Sequence, residues 1–239
     1  NTIATQAGGS FDGGTPSVSI QNVPSLTNAA FTATIQFSEA VTGFAVGDIT
    51  ASNATISAFS AVDADTYTVL VTPAADGPFT LDVGAAVAQD GAGNDNTAAT
   101  QAGGTFDGTA PTVSIQNVPA TTNAAFTATI QFSEAVTGFA VGDIAASNAT
   151  LSAFSAVDAD TYTVLVTPTA DGAFTLNIAA GVAADAAGNG NTIATQAGGS
   201  FDGGTPSVAI QNVPAITNVA FTATIQFSEA VTGFSVGDI

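Results

Sequence analysis

The chain has no lysine, arginine or histidine among its 239 residues, although it carries 19 aspartate and glutamate residues. Charged residues make up 8% of the sequence, whereas about a quarter is usual in a folded domain. Affinity for nucleic acid depends on lysine and arginine, so this composition excludes a nucleic-acid partner. Without histidine and cysteine, Ser-His and Cys-His catalysis and the usual zinc sites are excluded as well.

Cysteine, methionine and tryptophan are also absent. Without cysteine there is no disulfide framework, and thiols say nothing about the redox compartment. Because position 1 is not methionine, we expect that the chain is not a complete primary product unless an N-terminal part has been removed. Apolar runs are shorter than the roughly 18 residues of a membrane helix, so we expect no membrane span in this window.

What the chain does contain is a 95-residue repeat, which opens at Asn1, Asn96 and Asn191. The first two copies agree at 77 of 95 positions, and 49 residues of a third copy follow. Apolar residues alternate with polar ones, as in residues 31–37, and this period of two is typical of half-buried strands. Turn signals divide each copy into about seven strands, predicted in the first copy at 16–23, 30–38, 43–51, 54–61, 65–72, 78–84 and 96–106.

Seven short alternating strands in about 90 residues predict an all-β fold of tandem immunoglobulin-like antiparallel β-sandwiches. An antiparallel barrel is the alternative. The buried tryptophan and the disulfide of antibody domains are both missing, so the prediction concerns the wider sandwich class. The predicted domains are the last strand of a preceding repeat (1–14), two complete repeats (15–106 and 107–201) and the first strands of an incomplete one (202–239).

The incomplete repeat predicts an open end. Three strands of a sandwich expose an apolar face and a sheet edge to water, which is unstable and prone to aggregation. We therefore expect the array to continue at both ends. The alternative is that strands from a neighbouring chain complete the open repeat.

The acidic residues predict a metal site. With the seven strands in up-and-down order, most acidic loops lie at the pole where the chain enters from the preceding module. Carboxylates gathered there repel one another, since no cationic side chain can neutralise them. Calcium binds six to eight oxygen ligands, and the loop from Asp90 to Asn96 offers oxygens at alternating positions, although it lacks the terminal glutamate of an EF-hand.

Ordinary turn formation is the alternative explanation of that loop. We predict calcium between modules, with ligands drawn from the acidic pole of each repeat. The candidate ligands are Asp12, Glu39, Asp63, Asp65, Asp90, Asn94 and Asn96 in the first repeat, and Asp107, Glu134, Asp158, Asp160, Asp185, Asn189 and Asn191 in the second.

Enzymatic and glycan-binding functions are the alternatives to a structural one. Glu39 and Asp90 could be imagined as the paired carboxylates of a glycosidase, but a chain that repeats them in each module favours a structural role. We therefore predict no enzyme activity. Aromatic residues usually form glycan sites, and the two tyrosines, Tyr67 and Tyr162, fall on alternating strands that predict core positions. Threonine-rich strand faces leave glycan binding as an alternative.

Several short segments of the repeat form a recognisable pattern. They are Phe37 to Phe44 (FSEAVTGF), Val46 to Ile49 (VGDI), Thr66 to Val69 (TYTV), Thr72-Pro73 with Asp76-Gly77, and Asp90 to Asn94 (DGAGN) with Asn96. Together they resemble the bacterial Ig-like repeats of giant secreted adhesins. The match covers nearly the whole repeat and recurs in the second copy. The resemblance implies a secreted or cell-surface stalk, commonly stiffened by calcium.

From composition and resemblance together we expect a structural extracellular protein, either an adhesin stalk or a fibre or filament component in cell adhesion. Its partners would be neighbouring repeats and like chains in a fibre or surface layer. The alternatives are a carbohydrate- or surface-binding module, and a sheath or S-layer subunit assembled by strand exchange between chains.

Overall fold

The computed structural model describes residues 11–239, and it confirms the all-β prediction. Strands account for 45% of the structure and helices for 4%. Residues 1–10, and with them most of the strand predicted at 1–14, lie outside the described part of the chain.

The first repeat forms two facing four-stranded sheets. The strands are β1 (Val18–Gln21), β2 (Leu26–Thr27), β3 (Phe31–Phe37), β4 (Ile49–Ser52), β5 (Ala54–Ala61), β6 (Thr66–Pro73), β7 (Gly77–Val83) and β8 (Ala102–Phe106). One sheet has the order β1-β3-β6-β5 and the other β2-β8-β7-β4. Pairing is antiparallel except between β2 and β8, which are parallel with Leu26 opposite Thr105.

The second repeat has the same two sheets. The strands are β9 (Val113–Gln116), β10 (Thr121–Thr122), β11 (Phe126–Phe132), β12 (Ile144–Ser147), β13 (Ala149–Ala156), β14 (Thr161–Pro168), β15 (Gly172–Ile178) and β16 (Ala197–Phe201). The sheet orders are β13-β14-β11-β9 and β10-β16-β15-β12.

The predicted alternation of strand direction holds, since β3 is antiparallel to β1 and β6 and β7 is antiparallel to β4 and β8. Two details of the predicted strands are wrong. Most of 43–51 is not a strand, since Val46–Asp48 is a short 3₁₀ turn in which the Asp48 carboxylate accepts a hydrogen bond from the Ala45 N–H at 2.8 Å. The last strand begins at Ala102 rather than at residue 96.

The core lies between the sheets and follows the predicted alternation. Ile35, Val69 and Leu81 are fully buried. At one end of the core, Tyr67 stacks on Phe59 with ring centroids 5.6 Å apart and meets Phe37 edge-on at 6.0 Å. Tyr67 is therefore a core residue, as predicted, and does not form an exposed aromatic platform.

The incomplete repeat at 202–239 forms only two strands, β17 (Val208–Gln211) and β18 (Thr224–Phe227). Its apolar face is open, as expected for an incomplete sandwich. Val208 is 58% exposed, whereas its counterparts Val18 and Val113 are each 8% exposed.

The chain divides into two compact units that do not coincide with the sequence repeats. One unit contains the residues up to Val113 together with 132–139 and 180–193, and the other contains 114–131, 140–179 and 194–239. The acidic segments of the second repeat, 132–139 and 180–193, thus belong to the same unit as the first repeat. Among residues 11–239, no helix is long and apolar enough to cross a membrane.

Candidate metal centre

Three predicted ligands of the first repeat meet at one end of its sandwich. Carboxylate oxygens of Asp12, Glu39 and Asp90 all lie within 4.8 Å of one another, and we call this group the first acidic site. Asp12 belongs to the segment that precedes β1, Glu39 follows β3, and Asp90 lies in the long loop between β7 and β8. The fold therefore brings together residues far apart in the sequence.

The loop around Asp90 holds the carboxylate in place. Asp90 Oδ1 accepts hydrogen bonds from the N–H groups of Ala92 and Asn94, both at 2.8 Å, and Oδ2 accepts one from the Asn94 side chain at 2.8 Å. The side-chain bond from Asn94 is the main cause that keeps the pKa of Asp90 below its ordinary value, and the backbone bonds add to it. The buried Asp90 is therefore a fixed negative charge.

Asn94 also connects this loop to the segment before β1 that contains Asp12, which we call the linker of the first repeat. Its side-chain amide donates a second hydrogen bond to the backbone carbonyl of Asp12 at 3.1 Å. One asparagine thus orients the carboxylate of Asp90 and fixes the position of the chain beside Asp12.

The second repeat reproduces the arrangement with Asp107, Glu134 and Asp185, whose carboxylate oxygens also lie within 4.8 Å of one another. We call this group the second acidic site. Asn189 donates hydrogen bonds to the Asp185 carboxylate at 2.9 Å and to the Asp107 carbonyl at 2.8 Å. All these residues lie in the unit that contains the first repeat.

Electrostatic repulsion affects the second acidic site directly. Desolvation by burial raises the pKa of Glu134, and the negative charges of Asp107, Asp185 and Asp76 raise it further. Burial also opposes the ionisation of Asp185, but the hydrogen bonds from Asn189 outweigh it and lower its pKa. Since the sequence has no cationic side chain, only a proton or a bound cation can relieve this repulsion.

The donor set suits a hard divalent cation. Every side-chain donor of the two sites is an oxygen, which calcium prefers. Two oxygens on opposite sides of an ion at roughly 2.4 Å are about 4.8 Å apart, so the observed separations allow all three carboxylates of a site to contact one ion. Three carboxylates supply three to six of the six to eight oxygens that calcium takes, and water can supply the rest.

Comparison with known families identifies the repeat. A model of the bacterial Ig-like domain matches residues 12–105 and again 107–200. The chain belongs to the bacterial Ig-like domain family. Among curated proteins, no relative matches the sequence.

Parts of several solved structures are similar to this chain. Invasin, described as a bacterial integrin-binding protein, is 14% identical with a TM-score of 0.45, over 91% of this chain and 49% of that one. InvD of Yersinia pseudotuberculosis is 15% identical with a TM-score of 0.34, over 83% of this chain and 63% of that one. The N-terminal part of the S-layer protein SbsC is 13% identical with a TM-score of 0.30, over 79% of this chain and 44% of that one. This chain therefore spans less than two thirds of the length of each.

Some predicted ligands lie outside the acidic sites of these Ig-like repeats. Asp63 and Asp65 lie in the hairpin between β5 and β6, where Asp63 Oδ1 accepts hydrogen bonds from the N–H groups of Asp65 and Thr66. These bonds lower the pKa of Asp63, and the bond from the Asp65 N–H contributes most. The Asp65 carboxylate accepts bonds from Gln36 and Thr66. The corresponding Asp158 and Asp160 make the equivalent contacts with Thr161 and Gln131.

Asn96 has a structural role that its position in the loop did not reveal. It is 3% exposed. Its side-chain oxygen accepts hydrogen bonds from the N–H groups of Val87 and Ala88. Its side-chain amide donates hydrogen bonds to the carbonyls of Gly84 and Thr97. Asn191 likewise accepts the N–H groups of Val182 and Ala183. With their oxygens engaged, Asn96 and Asn191 hold the loop, and we omit both from the metal site proposed below.

Asp76 is not among the predicted ligands, and its contacts appear only in the structure. Its carboxylate accepts hydrogen bonds from the Gly108 N–H at 2.6 Å and from the Thr109 hydroxyl at 2.5 Å, and both donors are in the segment that follows Asp107. The signal that could have indicated this contact is the acidic turn Asp76-Gly77, repeated at Asp171-Gly172.

Proposed function

We propose that the chain is a structural segment of an extracellular stalk or fibre, in which calcium at the acidic sites stiffens the connection between each Ig-like repeat and the linker that precedes it. The observation that carries this proposal is the recurrence of the same acidic site at the same place in both repeats. Membership of the bacterial Ig-like family supports the structural and extracellular part of it. We propose no catalytic role.

The residues proposed to hold the ion are Asp12, Glu39 and Asp90 in the first site, and Asp107, Glu134 and Asp185 in the second. A bound calcium ion would supply the positive charge that the sequence lacks. Asn94 and Asn189 keep the loop carboxylates and the linker backbone in place before the ion arrives, so little ordering is left for binding to impose. Each site joins a linker residue to two residues of the folded repeat, and this connection would restrain the linker.

The glycan-binding and strand-exchange alternatives remain predictions. The burial of Tyr67 supports neither an aromatic platform nor a sugar site. The open apolar face of the incomplete repeat is compatible with strand exchange, although Asp202 and Glu229 repeat part of the same acidic pattern there.

Thermal unfolding with calcium and with a chelator tests the proposal. A ligand present at 100 times its dissociation constant stabilises the folded state by about 2.7 kcal/mol, so we expect calcium to raise the melting temperature by several degrees. In the double variant Glu39→Gln, Glu134→Gln this increase should largely disappear. In chelator, the same variant should melt above the wild type, because two repulsive charges have been removed.

The matched control is Asp82→Asn, which removes one charge outside the acidic sites and reproduces Asn177 of the second repeat. Its calcium response should equal that of the wild type. Equal melting temperatures in calcium and chelator for the wild type would rule out the calcium part of the proposal.

A further inference from the structure

The turn between β6 and β7 reaches the linker of the next repeat through Asp76. We propose that Asp76 is a positioning residue for the second acidic site, because it fixes the linker backbone immediately after Asp107. This inference rests on the proposed function, in which Asp107 is a calcium ligand. Asp76 itself is not one of the three carboxylates of this site.

The turn that carries Asp76 is itself held firmly. The Asn53 side chain donates hydrogen bonds to the carbonyls of Ala75 at 2.7 Å and Pro78 at 3.2 Å, on the two sides of Asp76. The Ala74 N–H in turn donates to the Asn53 carbonyl at 3.0 Å. The carboxylate of Asp76 thus projects from an anchored turn rather than from a free loop.

The linker is held on both sides of the Asp107 side chain. Before it, the Asp107 N–H donates to the Thr27 carbonyl at 3.0 Å. After it, Asp76 accepts the bonds from Gly108 and Thr109, while Asp107 Oδ1 itself accepts the Thr109 N–H at 3.1 Å. These bonds restrict the directions in which the Asp107 carboxylate can point, and they leave it among Glu134 and Asp185.

The next linker contains a natural comparison. Asp171 accepts the Gly203 N–H at 2.7 Å, as Asp76 accepts that of Gly108. However, Gly204 stands where the linker that contains Asp107 has Thr109, so the side-chain hydroxyl is missing. Glycine also has more conformational freedom to lose than threonine. The Asp76 contact is thus stronger than its counterpart by one hydrogen bond and by a stiffer backbone, and Thr109 is the residue that makes the difference.

The test uses the full chain with Thr109→Ala, Thr109→Ser and Asp76→Asn, each combined with Glu39→Gln to silence the first acidic site. One readout is hydrogen exchange of the Gly108 amide without metal, and the other is calcium affinity by titration calorimetry. We expect Thr109→Ala and Asp76→Asn to accelerate exchange and to weaken calcium binding about tenfold, as supporting contacts of metal ligands typically do. Thr109→Ser, which retains the hydroxyl, should restore both.

Asp171→Asn serves as the matched control, because it alters the equivalent turn of the second repeat and should leave the affinity of the second acidic site unchanged. Faster exchange with unchanged affinity would overturn the positioning role, since the contact would then be structural only. Unchanged exchange and affinity in Thr109→Ala would overturn the inference altogether. If the wild type binds no calcium at all, the calcium part of the proposed function is wrong. This outcome is distinct from a failure of the positioning role, because it is seen in the wild type alone, without any Asp76 or Thr109 variant.

Discussion

At the residue scale, an alanine occupies a backbone conformation that favours glycine. Ala86, in the loop after β7, has φ of +58°, and its counterpart in the second repeat is Gly181 with φ of +73°. The left-handed region costs a residue with a Cβ roughly 1–2 kcal/mol, whereas a glycine costs about 0.5–1 kcal/mol through its greater freedom in the unfolded chain. The second repeat therefore has the better residue for this turn.

We predict that Ala86→Gly raises the free energy of unfolding of the first repeat by up to about 1 kcal/mol. Urea unfolding followed by circular dichroism measures the change. The neighbouring Ala85→Gly is the control, because Ala85 has no positive φ and the substitution should lower stability by about 0.5–1 kcal/mol. Destabilisation by Ala86→Gly of the same size as in the control would contradict the argument.

At the element scale, strand β8 depends on two consecutive glycines. A Cβ on Gly103 would collide with the Phe79 carbonyl, and one on Gly104 would collide with the Pro24 carbonyl and lie 3.0 Å from that of Ser25. Gly104 has no room for a Cβ because the segment leading into β2 runs directly over β8, where the two strands pair in parallel. Gly103 has none because the backbone of the paired strand β7 lies against it. The Gly-Gly pair recurs in the second repeat at 198–199.

We predict that Gly104→Ala destabilises the first repeat by about 3 kcal/mol, because the neighbouring backbone must move to admit the methyl group. Gly91→Ala is the matched control. A Cβ on Gly91 meets nothing within 4 Å, and the second repeat has Ala186 at this position, so the change should stay within about 0.5 kcal/mol. Similar destabilisation by both substitutions would contradict a specific steric clash at Gly104 in β8.

The strands and loops also show which parts of the fold can be predicted from the sequence. Strands with clear alternation, such as β3 and β6, were predicted nearly to the residue, since burial on one face imposes a period of two. Residues 43–51 were mispredicted because a Val-Gly-Asp turn capped by Asp48 has the same polarity pattern as a short strand. β2 is only two residues long and carries no periodicity. At the acidic sites the sequence identified the ligand candidates, but contacts such as that of Asp76 with Gly108 depend on which turn faces which linker.

At the scale of the whole molecule, the formal charge of −19 is carried without one cationic side chain. The fold gathers part of this charge into two groups of three carboxylates instead of dispersing it. Hydrogen bonds from Asn94 and Asn189 stabilise the ionised loop aspartates, while Glu134 is pushed toward its neutral form. This arrangement of like charges raises the electrostatic free energy of the folded chain when no cation is bound, and a bound cation would lower it. For this reason we propose that the two sites bind calcium.

The most direct test is the number of calcium ions bound per chain, measured by equilibrium dialysis with metal analysis and by titration calorimetry. We expect two bound ions, one at each acidic site. Glu39→Gln should abolish or greatly weaken one of them, Glu134→Gln the other, and the double variant both. A wild-type chain that binds no calcium, or one whose bound calcium is unaffected by both substitutions, would contradict this expectation.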